Sequence, residues 1–71
     1  MNVNYFIEEL RQNKMDLSMV CFNDNARDDI FCVLENYYRI EVFYRERGQR
    51  YWCKSFFSEE EAVRYLINLM K

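Results

Sequence analysis

The chain is 71 residues long, carries ten Lys or Arg against twelve Asp or Glu for a formal net charge of −2, and is 51% hydrophobic and 18% aromatic. That balance excludes a disordered chain; no apolar run nears the roughly 20 residues that span a bilayer, and no basic start leads into an apolar stretch, so a cytoplasmic protein is predicted. A single domain over residues 1–71 follows, and surface-to-volume scaling lets it bury only roughly 60% of its unfolded surface, so its core has to be small and filled with large rings.

In chain order, Val3, Phe6, Ile7 and Leu10 fall at i, i+3, i+4 and i+7, one apolar helical stripe with Glu8, Glu9, Arg11 and Gln12 largely off it. The spacing predicts a helix over about Asn2 to Asn13, capped by Asn2 or Asn4. Met19 to Asn23 reads as a short strand closed by the turn chemistry of Asn23-Asp24-Asn25. Ile30 to Leu34 is nearly all apolar, as for a strand buried on both faces. From Arg39 to Tyr44 the pattern alternates, with Ile40, Val42 and Tyr44 on one face and Arg39, Glu41, Phe43 and Arg45 on the other.

Gly48 is the only glycine in a chain without proline. It is expected at a positive φ in a tight hairpin, with Arg45 to Gly48 as a type I turn and a fourth strand over Arg50 to Phe56. Ser58 is a good N-cap, Glu61 completes a capping box, and Phe57 before the cap is placed to staple onto Ala62 after it. The helix that follows carries Ala62, Tyr65, Leu66 and Leu69 at helical spacing, with Val63, Ile67 and Met70 widening the stripe. So wide an apolar face packs flat on a sheet. The expected architecture is α+β in the order α-β-β-β-β-α, a four-stranded antiparallel meander with two helices on one face.

Catalytic chemistry is scarce, because a chain with no histidine lacks the usual general base and the usual partner of a Ser or Cys nucleophile. Glu59, Glu60 and Glu61 have an ordinary role as first-turn anions offsetting the helix dipole. Cys21, Cys32 and Cys53 are an odd, widely spaced set inside apolar runs, which predicts buried free thiols rather than a disulfide or zinc framework. No enzyme activity, cofactor or metal is expected.

Binding is the better prospect. Residues 1–35 hold three cations against seven anions, and residues 36–71 hold seven against five. Asp24, Asp28, Asp29 and Glu35 lie on or beside strand connections, where an acidic cluster meets a basic partner, and charge reversal at Asp28 and Asp29 should leave the fold nearly intact. On the other pole, Arg39, Arg45, Arg47, Arg50 and Lys54 interleave with Phe43, Tyr44, Tyr51 and Trp52 along the predicted hairpin. Rings that stack on bases beside cations that grip phosphates make a single-strand nucleic-acid platform, with Arg45, Arg50, Tyr51 and Trp52 as its contacts. The acidic overall balance and the need for rings in the core weigh against it. A homodimer with the exposed aromatics as its interface is a third reading.

The run Val42-Phe43-Tyr44-Arg45-Glu46-Arg47-Gly48, an aromatic strand ending in Glu-Arg-Gly, resembles the short immunity proteins that bacteria encode beside polymorphic or contact-dependent toxins. The likeness continues through a second strand into Phe56-Phe57-Ser58-Glu59-Glu60-Glu61-Ala62 and Tyr65-Leu66, and covers about Glu35 to Leu69. It implies a cytosolic, non-catalytic inhibitor that binds one toxin domain, often a nuclease, and blocks its active site. Small phage-encoded inhibitors of bacterial defence enzymes share this size and acidity. On this reading Asp24, Asp28, Asp29 and Glu35, followed by Glu46 and Arg47 at the hairpin tip, are the partner contacts.

Overall fold

The computed structural model describes residues 1–71. Helix α1 spans Val3–Gln12, a single 3-10 turn covers Leu17–Met19, strands β1 to β4 span Val20–Phe22, Ile30–Asn36, Arg39–Glu46 and Gln49–Phe56, and helix α2 spans Glu59–Met70. The element order is the expected one, and the four strands lie side by side as β1-β2-β3-β4. Neither helix is long and apolar enough to cross a bilayer.

One feature of the expected meander is overturned. β1 runs parallel to β2, in the register Val20↔Phe31, Cys21↔Cys32, Phe22↔Val33, while β2, β3 and β4 are antiparallel. A parallel neighbour ordinarily needs a long crossover, but three residues of strand advance only roughly 10 Å, which residues 23–29 can retrace. Both ends of that connection sit in the left-handed region, Asn23 at φ 57° and Asp29 at φ 57°, and Asn and Asp are the side chains that tolerate it. Asn23 N donates to Val33 O at 2.8 Å and Asn23 Oδ1 accepts from Glu35 N at 3.0 Å, so the chain leaves β1 with its polar groups satisfied.

The helices cover one face of the sheet. Phe6 and Leu10 of α1 and Ala62, Val63, Leu66 and Ile67 of α2 close over Val20, Val33, Ile40 and Val42. Asn2 caps α1, its Oδ1 accepting from Tyr5 N at 3.3 Å, and Ser58 caps α2, its Oγ accepting from Glu61 N at 3.3 Å. The expected staple is absent: Phe57 is 76% exposed and lies under the Arg39 guanidinium instead of folding onto Ala62.

The opposite face carries a second, smaller layer of Cys21, Ile30, Cys32 and Phe43. Its cover is improvised from polar parts. Cys21 Sγ donates to Asp24 O at 3.4 Å and Arg45 Nε pairs with Asp28 at 3.1 Å, which draws the β1–β2 connection across this face. The Arg50 guanidinium sits 4.3 Å from the centre of the Phe43 ring and finishes the lid. β2 is thus buried on both sides, as its apolar run predicts. Cys53, expected to be buried, is exposed, because β4 is the edge of the sheet and only Phe56 on it is even half-buried.

The β3–β4 hairpin also differs from expectation. Its last pair is Glu46↔Gln49, leaving Arg47 at φ 51° and Gly48 at φ 75° as a two-residue loop with both residues left-handed. That is a type I′ turn rather than a type I turn over Arg45 to Gly48, and its twist matches that of the strands it joins.

Candidate partner-binding site

β3 and β4 are not evenly paired. Val42 faces Lys54 and Tyr44 faces Tyr51, so β4 carries one extra residue between these rungs. Trp52 takes up the slack at φ 56°, a left-handed conformation that is strained for a bulky side chain. The Tyr65 hydroxyl of α2 donates to Trp52 O at 2.7 Å and holds the bulge in place.

The bulge turns the Trp52 ring toward a row of aromatics. Phe31, Tyr44 and Tyr51 are registered neighbours across β2, β3 and β4. The Phe31 and Tyr44 rings meet edge to face at 4.9 Å, and Trp52 leans on Tyr44 at 5.9 Å and on Tyr51 at 6.1 Å. Trp52 is 61% exposed and Tyr51 39%. Strand alternation puts this row on the helix-bearing face, at the hairpin end of the sheet.

Two carboxylates border the row. Glu46 ends β3, and alternation directs it to the face that carries Phe31 and Tyr44; Asp29 precedes β2 at φ 57°, its N donating to Arg45 O at 2.7 Å. Burial holds the Tyr44 hydroxyl above its ordinary pKa, and the charges of Asp29 and Glu46 push it in the same direction, which places both acids within electrostatic reach of that ring. The ion pairs of the molecule join Glu35, Glu8, Asp28, Glu41 and Glu60 to cations, leaving Asp29 and Glu46 unpaired.

The sequence-predicted contacts divide accordingly. Asp28, Asp29, Glu46 and Arg47 come together at the hairpin end, where Asp28 Oδ1 accepts from Gly48 N at 3.1 Å. All four are exposed, but Asp28 is tied down as a structural latch, whereas Asp29 and Glu46 have no ion-pair partner. Asp24 sits near the start of the connection, its Oδ1 accepting from Ala26 N at 2.9 Å. Glu35 is at the other end of β2, paired with the N-terminal ammonium, whose pKa that hydrogen bond raises. Of the four residues of the nucleic-acid reading, Tyr51 and Trp52 are exposed, but Arg45 is paired with Asp28 and Arg50 lies 3.6 Å from Glu41.

Phe31 belongs to this row and sequence reasoning did not select it, while Tyr44 was named only among the rings that interleave with the hairpin cations. Their strand positions would have shown that they share a face with Glu46, but only the bulge, which the sequence does not announce, brings Trp52 alongside. At the far end of the sheet the β2–β3 turn exposes Tyr37 at 92% and Tyr38 at 89%, next to Phe57. No group of three or more His, Cys, Asp or Glu side chains converges in a metal-holding arrangement. Comparison of the chain with protein-family models, with curated proteins and with solved structures gave no match.

Proposed function

We propose that the chain is a non-catalytic inhibitor of the immunity-protein kind, which seats the end of its β3–β4 hairpin on the cationic substrate cleft of a toxin nuclease. The observation that carries this reading is the pairing of unpartnered Asp29 and Glu46 with the half-buried ring of Tyr44 and the exposed rings of Tyr51 and Trp52. Aromatic faces attract Arg and Lys through their quadrupole, and carboxylates at the rim add charge-assisted hydrogen bonds and steer the encounter. Trp, Tyr and Arg are also the side chains on which interface energy concentrates. A nuclease cleft must present cations to hold phosphate. The same two carboxylates repel a phosphate backbone, and Arg45 and Arg50 are committed to Asp28 and Glu41, so the surface is better suited to the protein that binds nucleic acid than to nucleic acid itself.

The test is survival of cells expressing the toxin encoded beside this chain, with and without the chain, together with co-purification of the two proteins. Protection and a one-to-one complex are expected. Unprotected cells and no complex would sink the reading. Salt-sensitive binding of generic single-stranded oligonucleotides that disappears in Trp52→Ala would replace it with the nucleic-acid module.

A further inference from the structure

We propose that Cys21 and Cys32 form a latent disulfide site, which hydrogen peroxide closes to fasten the edge strand β1 covalently to β2. The two cysteines are registered partners in the parallel ladder, and their side chains share the face opposite the helices. Cys21 Sγ and Cys32 Sγ lie 3.3 Å apart, with no atom between them, and both thiols are free. Registered neighbours on adjacent strands have Cα atoms about 4.8 Å apart, inside the span of about 4.4 to 6.8 Å that a disulfide bridges. The sulfurs have only to close to about 2.05 Å, which side-chain rotation supplies.

The two thiols differ in access. Cys32 lies inside the sheet, fully buried, and burial, reinforced by the hydrogen bond with Cys21, pushes its pKa up to about 12. Cys21 is on the short outer strand, 6% exposed, beneath the exposed connection of residues 23–29. Opening of that connection admits peroxide to Cys21 first. The Cys21 sulfur attacks one peroxide oxygen, the O–O bond breaks, and one water leaves, giving a sulfenic acid. The Cys32 sulfur then attacks the Cys21 sulfur, the S–O bond breaks, and the departing hydroxide takes the Cys32 proton as a second water. Two thiols and one peroxide thus become one disulfide and two waters. Cys53, exposed on β4 with the whole of β3 between it and Cys32, cannot join this bridge.

A bridge from residue 21 to residue 32 restricts the unfolded chain and ties down both ends of the connection, so the oxidised protein should melt higher, by on the order of 10 °C. The test uses the purified full chain, as wild type and as the exposed-site variant Cys53→Ser, which rules out linkage through Cys53. After treatment with peroxide and alkylation in denaturant, trypsin cuts at Lys14, Arg27 and Arg39, which puts Cys21 and Cys32 on separate peptides, 15–27 and 28–39. The expected result is a monomer with neither Cys21 nor Cys32 alkylated, which for Cys53→Ser is lighter by two hydrogens than the untreated, unalkylated protein, with the two peptides joined until reduced and a raised melting temperature that returns to its starting value with reductant. Recovery of both peptides separately and alkylated, a bridge found only between two molecules, or a melting temperature unchanged by the bridge would each overturn the proposal.

Discussion

Asp28 and Gly48 stand 20 residues apart in sequence, and the Gly48 amide donates to Asp28 Oδ1 at 3.1 Å while Arg45 Nε approaches the same oxygen at 3.1 Å. One carboxylate oxygen therefore joins the β1–β2 connection to the tip of the β3–β4 hairpin. Together with the backbone bond from Asp29 N to Arg45 O at 2.7 Å, it holds Asp29 and Glu46 in a fixed relation, so that a partner need not order them.

Asp28→Ala should accordingly lower stability by about 1 to 2 kcal/mol, since the loss combines a charge-assisted hydrogen bond to a backbone amide with a half-exposed ion pair. The urea midpoint measures it, and faster amide exchange at Gly48 should accompany the loss. A midpoint equal to that of the wild type would mean that the latch contributes nothing. Contrary to the expectation from sequence, charge reversal at Asp28 is therefore not a clean probe of binding.

Asp29→Asn with Glu46→Gln is the cleaner probe. Asn keeps the tolerance for φ 57° at position 29, and neither acid has an ion-pair partner to lose. The double variant should melt within a degree or two of the wild type and, if the proposed toxin is the partner, bind it roughly 10-fold or more weakly, mainly through a slower association rate that depends less on salt. Titration calorimetry and stopped-flow mixing would check both. Unaltered affinity would remove the two carboxylates from the interface.

Much of this fold was legible because periodicity records burial. Val3, Phe6, Ile7 and Leu10 could only line one face of a helix, and Ser58 could only be read as a cap. Strand direction is not recorded in that way. The run Val20-Cys21-Phe22 has the same pattern whether it is parallel or antiparallel to β2, and Asn23-Asp24-Asn25 suits a simple reversal as well as a return loop. The bulge was hidden for a related reason: alternation along Arg50 to Phe56 fixes faces only if no residue is inserted, and Trp52 at φ 56° is that insertion. Since the candidate surface depends on the bulge, its carboxylates and the rings of Tyr51 and Trp52 were readable singly, whereas their assembly with Phe31 and Tyr44 into one surface was not.

Alkaline pH should weaken the reduced fold. A free thiol titrates near 9.0, whereas burial, then the bond with Cys21, pushes Cys32 up to about 12 in the fold. The unfolded chain loses this proton first, so the contribution is intact below pH 9 and is lost as pH rises toward 12. Burial raises Tyr5 and Tyr44 above their usual 10.0 and acts in the same direction from that pH upward. Urea midpoints near pH 8 and pH 10 should show the decline, and Cys32→Ala, though less stable throughout, should show a shallower one. Parallel pH profiles for the two proteins would rule Cys32 out as a cause.

Ser58→Ala should cost about 1 kcal/mol, because it removes the Oγ acceptor for Glu61 N while Glu59, Glu60 and Glu61 remain to offset the helix dipole. For so small a core that is a large share of the total stability. Helical circular dichroism followed through urea unfolding gives the number. With the Phe57 staple absent, Phe57→Ala at the neighbouring position should by contrast change the midpoint by less than about 0.5 kcal/mol, as for ordinary exposed positions.

Trp52 separates stability from recognition most sharply. Its backbone is held at φ 56°, where a bulky side chain is strained by about 1 kcal/mol and glycine is not. Its ring is 61% exposed and gives the fold only tilted contacts with Tyr44 and Tyr51, while its carbonyl, which any residue would supply, accepts from Tyr65. Trp52→Gly should therefore be as stable as the wild type within about 0.5 kcal/mol, and more stable than Trp52→Ala, which loses the ring and keeps the strain. Both variants should lose toxin binding by roughly 30-fold or more, the cost of truncating an aromatic anchor worth about 2 kcal/mol or more. Urea midpoints paired with dissociation constants for the three proteins distinguish the outcomes. Should Trp52→Gly unfold easily, the ring holds the hairpin together; should it bind as tightly as the wild type, the strain at the bulge serves something other than this partner.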